Sequence, residues 1–377
     1  MENLKILSTT DVHGYKDNGL KNVIDLDRDL LIDNGDFFIG SPVTFYSYLK
    51  EKENPFIKIA NELNYDVMIP GNHDLDFGIE YLKNIVKKLN CEYICANLVD
   101  IDDNLIFKPY AVIERKGLKI AVIGLLTEGF SILTGKYFPQ EVYVRNPEEV
   151  LRNILDEIKG NVDFIVVCYH GGATIDPVSN KRWFYSSIED GAGELISQFP
   201  EVNSFIYGHQ HFTNSFINGK TCVIQPGLYG KFVGVQEFNI SVNSILQNKV
   251  VKLEAEKWGV LDDDYEKWLN EKAPISKFTN YIKKTYKADK YLLEFKSKTI
   301  QEFANELEIP FKLGFYEVPG EGTVLATQEK IDNRYLKKNI IDTFFGNFLM
   351  LCLSKEETTF WKLRTKYINM NILWYKK

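Results

Sequence analysis

The chain has 377 residues, with 45 Lys or Arg against 52 Asp or Glu, a formal charge of −7. An acidic chain lacks the clustered Lys and Arg that neutralise a nucleic-acid backbone, so a polymeric nucleic acid is excluded as the expected partner. Small anions stay open, because bound metal ions supply local positive charge, and 45% hydrophobic with 26% charged residues is an ordinary globular balance for about two domains.

The first two-thirds alternates strand and helix patterns. Leu4–Leu7 and Leu30–Ile32 are short apolar strand candidates. Asn54-Pro55 opens a helix, Asn as cap and Pro at the first helical position, with Phe56, Ile59, Ala60 and Leu63 as its apolar stripe. Ile79, Leu82, Ile85, Val86 and Leu89 mark a second helix, and Lys119–Ile123 a buried strand. Asn146-Pro147-Glu148-Glu149 starts a third helix in capping-box form; Val150, Leu151, Ile154, Leu155 and Ile158 line it, and Gly160 stops it. Asp163–Val167 and Ser204–Tyr207 are further strands, while Thr221–Ile224 and Val233–Ile240 read as a closing pair. Such alternation argues for a layered α/β fold. After about Lys252 the character changes. Glu254–Lys272 reads as linker plus helix, Thr299–Leu307 as a helix and Pro319–Gly322 as a turn or loop, and no catalytic motif follows Leu336.

Five cysteines occur, Cys91, Cys95, Cys168, Cys222 and Cys352, an odd number without zinc-ribbon spacing. Cys168 reads as a small buried hydrophobe. Cys91 and Cys95 could ligate a metal, but they bracket the strand-like Glu92–Ile94 and read as structural. Met1–Lys5 enters a strand pattern at once, and no apolar run is long enough to span a membrane. A cytoplasmic location is expected, or a secreted one if the sequence is a processed form.

The chemistry concentrates on five histidines. They lie in Asp11-Val12-His13-Gly14, Gly71-Asn72-His73-Asp74, Tyr169-His170-Gly171-Gly172 and Gly208-His209-Gln210-His211; Asp33-Asn34-Gly35-Asp36 has the same setting without histidine. Open α/β sheets place their sites at the carboxyl ends of strands, where these segments fall. In an extended segment residues i and i+2 point the same way, so Asp11 and His13 are expected to reach toward one site. His209 and His211 could share a metal or serve two adjacent ones. Imidazole and carboxylate donors suit zinc, manganese, iron, cobalt or nickel. Taken singly, each segment has an ordinary explanation as a turn or a core histidine. Taken together, accident would have to put every histidine beside a glycine at a strand end.

In this order the segments resemble the calcineurin-like metallophosphoesterases. Gly71–Gly78 resembles the form found in the 5′-nucleotidase branch, and Ile32–Asp36 with Gly40-Ser41-Pro42, and Gln225–Gly230, resemble its 2′,3′-cyclic-nucleotide 2′-phosphodiesterase/3′-nucleotidase members. The resemblance implies an α/β/β/α sandwich over about residues 1–255, followed by a short, truncated or divergent C-terminal segment, 256–377, similar to part of a substrate domain. It implies that Asp11, His13 and His211 hold one divalent ion and Asn72, His170 and His209 another, with Asp36 bridging. A metal-activated water would then attack the phosphorus in line. It leaves His73 to stabilise the transition state or protonate the leaving oxygen, with Asp76 orienting its imidazole.

The second domain of two-domain members carries aromatics that sandwich the base. Here Phe344–Met350 resembles a segment of it. Phe311, Phe315 and Tyr316 are stacking candidates whose alternative use is core packing, so no residue is assigned to base recognition. The expected function is hydrolysis of nucleotide phosphoesters, of the 2′,3′-cyclic-nucleotide phosphodiesterase or 3′- or 5′-nucleotidase type. The alternatives are a phosphatase or phosphodiesterase on another small phosphoester, and a non-catalytic remnant that keeps the metal site but has lost its substrate domain.

Overall fold

The structure is a computed structural model that describes residues 3–16, 18–128, 141–174, 191–242, 244–256, 258 and 264, together with the backbone of 313–318 and 322–327. The strands are β1 (Asn3–Thr9), β2 (Leu30–Asp33), β3 (Val67–Met68), β4 (Glu92–Tyr93), β5 (Leu98–Asp100), β6 (Tyr110–Arg115), β7 (Leu118–Leu126), β8 (Val142–Val144), β9 (Phe164–His170), β10 (Ser204–Tyr207), β11 (Thr213–Asn218), β12 (Thr221–Pro226), β13 (Phe232–Asn239), β14 (Ser244–Lys252), β15 (Leu313–Val318) and β16 (Gly322–Thr327). The helices are α1 (Pro42–Leu49), α2 (Pro55–Leu63), α3 (Ile79–Val86), α4 (Pro147–Ile158) and α5 (Ala192–Gln198).

Two six-stranded sheets form the body, in the orders β14-β13-β1-β2-β3-β4 and β11-β12-β10-β9-β7-β6. Their central strands run parallel, and antiparallel strands close three of the four edges. The facing sides alternate by the two-residue period of a strand. Leu4, Ile6, Leu30, Ile32 and Val67 of the first sheet pack with Ile120, Val122, Val166, Cys168, Ile206 and Ile224 of the second. On the outer side of the second sheet Ile123, Leu125, Val167, Tyr169 and Phe205 pack with Leu151, Ile154 and Leu155 of α4 and Leu195 and Ile196 of α5. On the other face of the first sheet Leu7, Leu31 and Met68 are also fully buried. The crossovers that carry α2 and α3 must run on that side. The sandwich of two sheets between helices is the expected architecture.

Helix starts follow the sequence signals. Asn146 Oδ1 accepts from Glu149 N (3.0 Å) and caps α4. Asn54 Oδ1 accepts from Phe56 N (3.0 Å) while its Nδ2 donates to Phe38 O (2.9 Å), so this cap also ties α2 to the loop after β2. Asn54→Ala removes both bonds, an expected loss of about 1–2 kcal/mol. The thermal midpoint should fall by ~2–4 °C per kcal/mol lost. An unchanged midpoint in scanning calorimetry would show that the cap contributes nothing net.

The expected closing pair is corrected. β12 and β13 lie in different sheets: β12 joins β10 and β11, whereas β13 sits between β1 and β14. The edge strands β11 and β14 are only partly buried, with exposed polar residues such as Gln247 and Asn218. Such strands show no apolar alternation to read, and without them the two buried strands look like each other's partner.

The chain divides into two compact units, Met1–Ile39 with Ser47–Val260, and Gly40–Tyr46 with Leu261–Lys377. In the second unit β15 and β16 form an antiparallel pair that flanks the expected turn at 319–322. The helix expected over Thr299–Leu307, most of the linker and helix expected over Glu254–Lys272, and the Phe344–Met350 segment lie outside the described residues, as do Phe311 and the side chains of Phe315 and Tyr316.

Candidate metal centre

The carboxyl ends of β1, β2, β3, β9 and β10 converge; His170 is the last residue of β9, and the other proposed ligands with His73 and Asp76 lie in the loops that leave β1, β2, β3 and β10. Backbone bonds zip the first two loops together: Asp11 N to Gly35 O (2.9 Å), His13 N to Asp36 O (2.7 Å) and Gly14 N to Phe37 O (2.8 Å). The approach is too close for side chains at the glycines. A Cβ at Gly208 would meet Asp11 Oδ2 at 2.8 Å and Asn34 Nδ2 at 2.9 Å; one at Gly35, whose φ is +93°, would meet Gly71 N at 2.6 Å and His170 Nδ1 at 2.7 Å.

Asp11 and His13 do converge, but not as an extended pair. Their φ values are 53° and 54°, and those of Asp36, His209 and His211 are 56°, 72° and 62°. Five of the seven candidate ligands thus stand in the left-handed region, which costs a non-glycine residue energy and persists where the surroundings over-determine it. The backbone zipper supplies that determination for Asp11, His13 and Asp36.

Each carboxylate is anchored by one oxygen and exposes the other to the imidazoles. Asp11 Oδ2 accepts from Thr10 Oγ1 (2.6 Å) and His209 N (3.0 Å). Its Oδ1 accepts no hydrogen bond and lies 3.2 Å from His211 Nε2 and 3.8 Å from His13 Nε2. Asp36 Oδ1 accepts from His73 N (2.7 Å), whereas Oδ2 accepts none and lies 3.2 Å from His170 Nε2 and 3.7 Å from His13 Nε2. Asn72 Oδ1 lies 3.1 Å from His170 Nε2 and 2.8 Å from His209 Nδ1. All seven side chains are buried or nearly so.

Histidine orientation is fixed from behind. His13 Nδ1 lies 3.0 Å from Ile39 O and His170 Nδ1 2.7 Å from Asn34 O, so Nδ1 is the donor in both and Nε2 faces the centre. Burial pushes the His13 imidazolium down to about 3, against the pull of Asp36. His170 goes the other way: burial opposes its charge, but Asp36 and then Asp11 outweigh it and raise the pKa to about 9. Burial likewise raises Asp11, yet His211 and His170 bring it down to about 2, and His170 and His73 hold Asp36 well below the usual carboxylate range. The centre therefore demands positive charge between its two carboxylates.

The donors fit divalent ions. Asp11, His13 and His211 place ligand atoms within 4.8 Å of one another, and so do Asp11, Asp36 and His170. Two buried carboxylate oxygens without hydrogen bonds, among imidazole nitrogens, are what an ion would satisfy. The geometry also separates the Gly208–His211 pair: His211 faces Asp11, and His209 faces Asn72. His73 stands in neither group; its Nδ1 lies 2.8 Å from Asp76 Oδ2 and its ring 5.3 Å from that of His13.

Several supporting residues were not legible as site residues. Asp74 is fully buried and accepts from Asp36 N (2.9 Å), Gly71 N (3.0 Å) and Phe38 N (3.1 Å), stitching the loops after β2 and β3. Burial, and next the charge of Asp36, raise its carboxyl to about 7. Asp33 accepts from Thr9 Oγ1 (2.6 Å) and Gly35 N (3.0 Å), and burial lifts its pKa well above the ordinary value. An Asp two residues before a glycine is a local turn signal that could have revealed the second bond. Nothing local reveals the Asp74 bonds to residues 36 positions and more away.

Residues 4–212 match the family model described as calcineurin-like phosphoesterase, more than half of the chain. A Salmonella typhimurium protein named 2′,3′-cyclic-nucleotide 2′-phosphodiesterase/3′-nucleotidase is 27% identical over 81% of this chain and 53% of its own length. A Vibrio cholerae 5′-nucleotidase is 31% identical over 45% of this chain and 34% of its own. Among solved structures, a Staphylococcus aureus protein provisionally assigned as a 5′-nucleotidase superposes with a TM-score of 0.64 and 27% identity, over 71% of this chain and 59% of that one. The chain spans about half the length of the Salmonella relative. Fold, motif order and family model agree, and the chain belongs to the calcineurin-like phosphoesterases.

Proposed function

We propose that the chain hydrolyses nucleotide phosphoesters with two divalent ions. The reading rests on one observation above all: Asp11 Oδ1 and Asp36 Oδ2 are buried, accept no hydrogen bond and are ringed by imidazole nitrogens. Asp11, His13 and His211 would hold one ion, Asn72, His170 and His209 the other, and Asp36 Oδ2, within 4 Å of both His13 and His170, would bridge them. Such ions polarise phosphoryl oxygens and make water a nucleophile at neutral pH.

The chain's own groups supply the rest. The Asp76 carboxylate accepts a hydrogen bond from His73 Nδ1 and favours the doubly protonated ring, whose Nε2–H would be the proton given to the leaving oxygen or the hydrogen bond given to the phosphoryl group. The two zipped loops keep the carboxylates fixed, so little reorganisation accompanies the reaction. The names of the Salmonella and Vibrio relatives support nucleotides as the substrate class, with 2′,3′-cyclic, 3′- and 5′-nucleotides as candidates.

The test is a hydrolysis panel on the metal-reconstituted chain, with 2′,3′-cyclic AMP, 3′-AMP, 5′-AMP and bis(p-nitrophenyl) phosphate. At least one nucleotide is expected to exceed the generic ester in kcat/KM by tenfold or more. Hydrolysis of the generic ester alone would point to a phosphoesterase for another small substrate. No hydrolysis of any, with two ions bound, would point to a catalytically idle remnant.

A further inference from the structure

Tyr229 lies in the loop between β12 and β13 with φ 54°, a left-handed conformation that a bulky residue adopts only at a cost. Its neighbours Gly227 and Gly230 meet the same need with φ 111° and 59° and no side chain. A glycine at position 229 would satisfy the backbone better, so the ring must compensate for what it costs. The amide of Tyr229 donates to Asp11 O (2.7 Å), which fixes this turn to the loop that carries Asp11 and His13.

The ring is 6% exposed. It packs edge-to-face on His13, with centroids 5.9 Å apart at 67°, and at a tilt on His211, 6.0 Å apart at 55°. Behind it Tyr15 stacks at 4.7 Å, and Lys231 Nζ lies 5.3 Å from the Tyr15 ring and 5.2 Å from the Tyr229 ring, a cation on two π faces. Thus two histidines 198 residues apart in sequence share one braced aromatic wall. The two imidazoles also pack on each other, at 4.9 Å and 70°, as His170 and His209 do at 5.6 Å and 72°.

We propose that Tyr229 is a positioning residue for one ion of the pair, the one taken by Asp11, His13 and His211. The proposal rests on the two-ion reading above. The ring limits rotation of both imidazoles about their Cβ–Cγ bonds, and so keeps their Nε2 atoms, 2.9 Å apart, turned to the same point. Groups that orient a ligand without touching the ion typically change metal affinity by ~10–100-fold.

The experiment titrates the chelator-stripped full chain with Mn²⁺ by calorimetry, with bound metal counted by mass spectrometry. Wild type should bind two ions. Tyr229→Leu keeps bulk and backbone strain but has no ring face, and Tyr229→Gly relieves the strain; in both, one ion should bind ~10-fold or more weaker and the other as in wild type. Tyr229→Phe should match wild type. His211→Ala should weaken the same ion, so adding Tyr229→Leu to it should leave the second ion untouched. The thermal midpoint of each metal-free variant reports folding; if one variant of the Leu and Gly pair is unfolded, the other carries the test. Wild-type affinity at both sites in either folded variant, or equal weakening of both, overturns the positioning role and leaves the two-ion reading intact. A wild-type chain that binds fewer than two ions overturns that reading and the role of Tyr229 with it.

Discussion

Asp36→Asn is expected to abolish hydrolysis and to lower the number of ions bound. Asp36 Oδ1 accepts from His73 N at 2.7 Å, so the asparagine oxygen takes that place and its NH2 takes the place of Oδ2. That amide nitrogen then faces His170 Nε2 at about 3.2 Å and His13 Nε2 at about 3.7 Å, with no lone pair for an ion. The substitution also removes the largest force that holds positive charge at His170, which is the Asp36 carboxylate. Loss of a shared ligand should cost at least the ~10–100-fold in metal affinity that loss of an outer partner costs. The anchoring bond survives, so the variant should fold. Mass-spectrometric metal counts and rates on bis(p-nitrophenyl) phosphate check it. Full metal content together with full activity would reject the bridging role.

His73→Asn should do the reverse, keeping both ions and losing turnover. The bond from residue 73 to Asp36 comes from the backbone amide and survives the substitution. His73 also stands outside both groups of convergent ligand atoms. What disappears is the imidazole held at Nδ1 by Asp76, 2.8 Å away. Removal of a positioned acid typically costs ~10²–10⁴-fold in rate. The loss should appear in kcat, because the phosphate would still meet the ions. Metal content that falls as far as in His209→Asn would make His73 a ligand and sink its assignment as the proton donor.

The two variants separate functions that adjoin in space. On the proposed reading Asp36 would bind metal through its side chain while His73 supports it through its backbone, so the one substitution should change metal content and the other, by side chain, the rate. Asp74 underlies both, because its carboxylate holds Asp36 N and Gly71 N together.

Local sequence determined a good deal. Short apolar runs marked β1, β2, β7, β9 and β10, and Asn-Pro pairs marked the starts of α2 and α4, because an apolar run and a helix cap depend on neighbours within a few positions. The glycine-flanked Asp, Asn and His segments were legible too, since their residue types and spacings are local. Tertiary structure decided the rest. Which sheet takes β12 and which takes β13 depends on polar edge strands whose pairing no short window reveals. That Asp11 and His13 converge through left-handed turns and not an extended strand depends on backbone bonds to residues 35–37. Whether His209 and His211 face one ligand group or two was left open by spacing alone. It is decided by Asp11 and Asn72, which arrive from the other sheet, because the direction of a side chain in a loop is set by what packs against it and not by its own neighbours.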